Sequence, residues 1–306
     1  MYDRQSIDAS LQTMVVTIKP VLEALHMENV ETVPRVSAID HEGAIFALLK
    51  FGVVVVDGAF EPDAIDLLRQ EVTVRHPEFA HPEELTDFQN NGDQRFIAPV
   101  SISRRIFESG ILGHRSLDAV ARGILGEKWV VDACGLTMAL PGCQAQKLHR
   151  DGESLYPELP IKKLLPAYAL TVMIPLIDVL KDGGTTAFQL GTHSYNAELD
   201  QSVPVSTTLA RGSFIVWNFE VMHGGEANRS DQPRPMLYMT LCRPFWTDMT
   251  NFGGTSRVRL TVDADVIPLL NRRFARAADG GTWAHTGLGE VLQRIDKSSP
   301  DGKAAT

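Results

Sequence analysis

Through the middle and later parts of the chain, short apolar stretches alternate with turn-forming residues. Segments 129–133, 136–140, 144–149, 167–177, 185–190, 213–218 and 236–242 each have strand length, and glycine, proline or polar clusters separate them. A doubly wound sheet would need helices between such strands, and none is visible there. The pattern predicts a mainly β protein with flanking α, its core a double-stranded β-helix of the jelly-roll or cupin-like kind. Earlier segments change period. Residues 37–50 carry Ile39, Ile45, Leu48 and Leu49 at helical spacing, with Ser37 or Asp40 placed to cap the start. After Gly52 comes a β-branched strand, 53–56, and then a second helix over 62–71. A third helix is predicted over 102–126, with Ile106, Leu117, Val120 and Ile124 on its apolar face and Gly126 at its end.

The remaining stretches are polar or mixed. Residues 76–92, broken by Pro77, Pro82 and Asn90-Asn91-Gly92, predict a loop at the barrel mouth, and 94–96 start a strand that carries Arg95. Residues 258–262 predict a strand and 266–274 a helix. Residues 1–295 are expected to form a single domain, with an N-terminal arm and helices packed on the barrel, and 296–306 a disordered polar tail.

Composition narrows the function classes. A chain of 306 residues can bury a sizeable single core, and 44% apolar with 22% charged residues is the balance of a globular protein, not a disordered one. A net charge of −9 repels polyanions, so nucleic acid is not expected as a partner. No apolar run approaches the roughly eighteen residues that a membrane-spanning helix needs, and the N-terminus lacks a secretory pattern. Cys134, Cys143 and Cys242, odd in number and without a Cys-X-X-Cys pair, read as reduced packing residues of a cytoplasmic protein.

Chemistry concentrates in Gln146-Lys147-Leu148-His149-Arg150-Asp151. Two residues apart on an extended strand, His149 and Asp151 point to one face and can share a metal ion. His223 is the candidate third ligand. Two imidazoles and a carboxylate on one face of an octahedron leave three positions open, which suits non-heme Fe(II); zinc would favour a tetrahedral set, often with thiolates. In a chain with nine histidines a His-X-Asp triplet alone arises readily by chance, and a structural pair is the competing reading. Arg234, eleven residues after His223, can hold a carboxylate through two parallel hydrogen bonds or pair with a protein carboxylate.

His149-Arg150-Asp151, His223, Asn228, Ser230 and Arg234, with Gly191-Thr192-His193 between them, together resemble the phytanoyl-CoA dioxygenase family, and within it the branch that tailors fungal natural products. The resemblance runs from about Phe51 to Phe245. It implies Fe(II) as cofactor, 2-oxoglutarate and O2 as co-substrates, and release of succinate and CO2. It further implies that Arg234 anchors the distal carboxylate of 2-oxoglutarate with Thr171 as helper, that Gln146 touches the same co-substrate, and that the protein is a homodimer. On a regular strand Gln146 and His149 would face opposite ways, so a bulge or twist is needed there. The halogenases of the family have a small residue in place of the carboxylate; Asp151 therefore predicts hydroxylation, desaturation or a related C–H oxidation. Met173 stands where many members carry tryptophan.

A small, largely apolar metabolite is the substrate this reading implies, with Phe88, Arg95, Tyr156 and Trp246 as pocket candidates. A fatty acyl-CoA hydroxylase would need basic residues for the CoA phosphates, and Lys162-Lys163 is the one obvious pair near the site. A cupin-like binding module without catalysis would have no use for the complete triad together with Arg234.

Overall fold

The run Val53–Val56 is buried on both faces, because it lies between a layer of helices and the inside of a barrel. The computed structural model describes residues 31–77, 89–90, 92, 94–159, 165–194, 202–247, 261–266 and 269, all but the first two within the compact unit Val33–Thr306. In chain order its strands are β1 (Arg35–Ser37), β2 (Val53–Asp57), β3 (Gln89–Asn90), β4 (Arg95–Pro99), β5 (Ser101–Ile102), β6 (Val130–Ala139), β7 (Ala169–Pro175), β8 (Thr186–Gln189), β9 (Val205–Thr207), β10 (Phe214–Asn218), β11 (Met222–Gly225), β12 (Arg234–Cys242) and β13 (Thr261–Val262). The helices are α1 (His41–Phe51), α2 (Pro62–Arg75), α3 (Arg104–Glu108) and α4 (Arg115–Leu125).

Eight strands make one large sheet in the order β1-β2-β10-β7-β12-β6-β4-β3, antiparallel throughout except for β1 with β2. A smaller antiparallel sheet, β11-β8-β9, forms the second half of the double-stranded β-helix, and β5 pairs with β13. Alternation along the large sheet divides the labour. Val54, Val56, Leu170, Val172, Ile174, Leu237 and Met239 point outward into the main core, where they meet Leu48 of α1, Ile65 and Leu68 of α2, and Leu117 and Val120 of α4. Each such aliphatic side chain stabilises the fold by about 1.5–3 kcal/mol on burial. Their neighbours Thr171, Met173, Trp217, Arg234, Tyr238 and Thr240 face inward and line a cavity.

Local chemistry sets the helix ends. Asp40, not Ser37, caps α1 by accepting from Gly43 N at 2.9 Å, while Ser37 ends β1. Gly52 closes the helix at φ 79°, and a Cβ there would overlap Val221. Ile39 and Leu49, assigned to the apolar face of this helix, are exposed. The single helix expected over 102–126 is two. Ser103 caps α3 and His114 caps α4, and Gly110 at φ 74° turns the chain between them. Helix α2 runs on to Arg75.

Segments 129–133 and 136–140 prove to be one strand, β6. Gly135, a turn signal in the sequence, sits mid-strand because the Tyr238 ring of β12 packs over it; a Cβ there would overlap that ring and stand 2.7 Å from Ala98 O. Strands β1, β3, β5, β9 and β11 were not foreseen, being short, polar or glycine-rich; β3 falls within the loop expected over 76–92. Of segment 258–262 only the end is described, as β13. The helix expected at 266–274 lies largely outside the described residues, and the N-terminal arm and the 296–306 tail lie outside them too.

Replacing Gly135 with alanine is expected to destabilise the fold by about 1–3 kcal/mol, the usual consequence of overfilling a close-packed position. Urea unfolding of the variant with an unchanged midpoint would contradict this packing account.

Candidate metal centre

Two residues 74 positions apart become neighbours through backbone pairing. His149 N–H donates to His223 O and His223 N–H to His149 O, both at 2.8 Å, so the segment before Asp151 lies antiparallel along β11. This close approach needs Gly224 and Gly225. A Cβ on Gly224 would stand 3.2 Å from the carbonyls of Gln146 and Lys147, and one on Gly225 would stand 2.6 Å from Arg95 Nη1. Gln146 N donates to Gly225 O at 2.8 Å, and its Oε1 accepts from Gly225 N at 3.0 Å. The chain between Gln146 and His149 is not regular strand, which lets both side chains line the cavity.

The ligand atoms of His149, Asp151 and His223 all lie within 4.8 Å of one another, close enough for one ion to bridge them. Each imidazole is oriented by its own backbone: His149 Nδ1 is 2.9 Å from Lys147 O, and His223 Nδ1 is 3.0 Å from Val221 O. A carbonyl only accepts, so each Nδ1 carries the proton and each Nε2 offers its lone pair. Asp151 Oδ1 is 3.5 Å from His223 Nε2. Its Oδ2 accepts from Thr171 Oγ1 at 2.5 Å and from Trp217 Nε1 at 2.8 Å. Phe188 and Trp217 pack against the buried His223 ring.

Electrostatics follow the same geometry. Burial works against the Asp151 charge, but His223, Thr171 and His149 outweigh it and hold the carboxyl below its usual range. Burial also works against protonating His223, and Asp151 outweighs that, lifting the imidazole above its usual 6.5.

The same cavity is lined by two buried guanidiniums. Arg234 begins β12 and Arg95 begins β4, each opposite Ala139 of the intervening β6. Buried Asn228 shapes the turn that delivers Arg234: its amide donates to Ala139 O and Gln232 O, and its carbonyl accepts from Ser230 N and Oγ. Arg95 donates to the backbone oxygens of Gln144 and Glu226. Arg234 makes no ion pair with a carboxylate among the described residues, and its Nε is buried without a hydrogen-bond partner. Burial and the nearby Arg95 charge lower its pKa to about 10. The competing reading of Arg234, a structural ion pair, therefore finds no partner there.

Other candidates are placed differently. Thr171, expected to help Arg234, lines the cavity but gives its hydroxyl to Asp151. Arg95 lines the cavity as expected. Tyr156 does not; it is 61% exposed, on a loop residue with φ 53°. Trp246 packs in a separate cluster with Tyr168 and Phe219, which supports the loop after Asp151. Closeness in sequence to the ligands or to the barrel end did not translate into closeness to the cavity for these two aromatics. Phe88 lies outside the described residues, as do Lys162 and Lys163. The bond from Trp217 to Asp151 was not foreseen from the sequence. The available signal was parity: Trp217 pairs with Thr171 across β10 and β7, so both face inward.

A double-stranded β-helix that presents two imidazoles and a carboxylate from its mouth defines the class of non-heme iron oxygenases. The chain matches the phytanoyl-CoA dioxygenase (PhyH) family over residues 48–236, more than half its length, and belongs to that family of 2-oxoglutarate-dependent dioxygenases. It is 25% identical over 231 residues to dioxygenase trt7 of Aspergillus terreus, covering 72% of this chain and 79% of that one. With dioxygenase olcK of Penicillium canescens it shares 26% identity over 210 residues, 65% of this chain and 69% of the relative. Its fold is similar to that of SnoN, the non-heme alpha ketoglutarate dependent epimerase from nogalamycin biosynthesis, with a TM-score of 0.53 at 16% identity over 67% of this chain and 83% of the other.

Two outcomes are expected. Gly152 follows Asp151, and a Cβ there would overlap the Tyr168 hydroxyl and stand 2.9 Å from Phe219 Cδ1; Gly152→Ala should displace the ligand loop and weaken Co(II) binding about tenfold or more, measured by titration. Protons compete with metal for His223, whose pKa is raised. Metal affinity should therefore be level at alkaline pH and fall as pH drops through a point above 6.5; an affinity constant down to pH 5.5 would contradict the role of this imidazole.

Proposed function

We propose that a single oxygenase domain in this chain oxidises a C–H bond of a small, largely apolar natural product, with iron on His149, Asp151 and His223 and 2-oxoglutarate anchored by Arg234. The observation that carries the reading is the buried Arg234 guanidinium, which faces the same cavity as the three ligands and meets no carboxylate among the described residues. Burying a charge without a partner is costly, so such a group marks the seat of an anionic ligand.

The donor set fits the implied cofactor. Both Nε2 atoms are free of backbone bonds, Asp151 is ionised, and no cysteine stands among the grouped ligands to favour zinc. Iron, when bound with 2-oxoglutarate and O2, supplies the oxidising power for C–H cleavage, with succinate and CO2 as co-products. The protein's own groups do the rest. His149, Asp151 and His223 would hold the ion and leave it open to further ligands. Arg234 receives the distal carboxylate through two parallel hydrogen bonds, and Arg95, held in place by backbone carbonyls, adds a second positive charge to that end. A cavity of about 180 Å³ suits a small diacid better than an acyl-CoA. Met173, Ile97 and Tyr238 supply apolar surface to it. A ligating carboxylate at 151 takes the place that a halide would need, which favours oxidation over halogenation.

Natural-product chemistry is supported by the fold shared with SnoN of nogalamycin biosynthesis. A cytoplasmic setting is supported by three buried cysteines that form no disulfide, and no helix among the described residues is long and apolar enough to cross a membrane. Homodimerisation belongs to the same reading and is checked by sedimentation.

Anaerobic addition of Fe(II) and 2-oxoglutarate is expected to produce a weak visible metal-to-ligand charge-transfer band. Its absence at saturation would favour a non-catalytic binder. Arg234→Leu should raise half-saturation by 2-oxoglutarate at least about thirtyfold, since losing one partner of a buried charge pair costs about 2–5 kcal/mol; an unchanged value would reassign the anchor. Succinate release across a metabolite panel identifies the substrate.

A further inference from the structure

We propose that Thr171 and Trp217 form a two-donor clamp that restricts Asp151 to one metal-facing oxygen, so that the carboxylate takes a single coordination position. The inference rests on the metal reading above and concerns how many positions remain open.

The two donors converge on one atom. Thr171 Oγ1 at 2.5 Å and Trp217 Nε1 at 2.8 Å both reach Asp151 Oδ2, while Oδ1 is the oxygen recorded near His223 Nε2, at 3.5 Å. A carboxylate oxygen has two lone pairs, and two good donors use both, so Oδ2 has none left to offer an ion. Both donors are stiffly held. They are direct cross-strand partners on the cavity face of β7 and β10, and Thr171 is β-branched, which limits its rotation. Trp217 is 1% exposed, with the Phe188 ring edge-on at 5.3 Å and the His223 ring at 5.0 Å.

The arrangement also divides the site between the two sheets. His223 lies on β11 of the small sheet, and His149 is paired to it; Asp151 is gripped by the large sheet. An octahedral ion held by three protein atoms would keep three positions for other ligands. Without the clamp Asp151 can turn and chelate through both oxygens, taking one of those three. Thr171 and Trp217 are thus positioning residues, acting through Asp151 and not on substrate.

The test uses Co(II) as a visible probe, with and without 2-oxoglutarate, on wild type, Thr171→Val, Trp217→Phe and Thr171→Ser. Thr171→Val and Trp217→Phe are expected to weaken Co(II) binding about 10–100-fold and to change the visible band shape, the mark of an altered coordination sphere. Thr171→Ser, which keeps the hydroxyl, restores both. Should Trp217→Phe not fold, the near-isosteric Thr171→Val decides alone. Folded Thr171→Val with wild-type Co(II) affinity, or with weaker binding but an unchanged band, overturns the clamp while leaving the metal reading intact. Failure of the wild type to bind Co(II) overturns the metal reading and the clamp with it.

Discussion

The site depends on one pair of reciprocal backbone hydrogen bonds, between His149 and His223. In such a hydrogen-bonded antiparallel pair the two Cα atoms sit about 5.5 Å apart, which sets two imidazoles side by side. That spacing survives because glycines at 224 and 225 admit the neighbouring chain and Arg95 without side-chain interference. Everything else serves to orient what the pairing brings together. Backbone carbonyls two residues upstream fix each ring, the large sheet fixes the carboxylate, and the Asn228 turn sends the chain back as β12 with Arg234 at its first position.

The large sheet performs two tasks by the alternation of its side chains. One face meets α1, α2 and α4 across an apolar layer that supplies most of the burial. The opposite face holds threonines, arginines, a tyrosine and a tryptophan around the cavity. Shifting a strand by one residue would exchange these faces, so the packing that stabilises the fold also fixes which side chains reach the site.

Sequence made the local parts of this plan legible. Short apolar runs announced the jelly roll, and the His-X-Asp triplet with the later His223 announced residues whose ligand atoms come within 4.8 Å of one another, although 144–149 is not the expected regular strand. What escaped was decided by partners remote in sequence. Gly135 reads as a turn until the Tyr238 ring occupies its missing side chain's place. Trp217 reads as packing until its indole N–H meets a carboxylate 66 residues away. Tyr156 and Trp246 looked like substrate contacts because they follow ligand-bearing or barrel segments, yet a loop can carry an aromatic into solvent or into a separate cluster. The irregular chain at Lys147-Leu148 let Gln146 and His149 share a side, against simple alternation.

The uncompensated guanidinium of Arg234 carries a further consequence. Folding must desolvate a cation that meets no opposite charge among the described residues, which lowers stability, and any anion that compensated it would raise stability again. Selection for thermal robustness alone would favour an uncharged side chain at 234; an arginine there trades resilience for a positive charge facing the cavity.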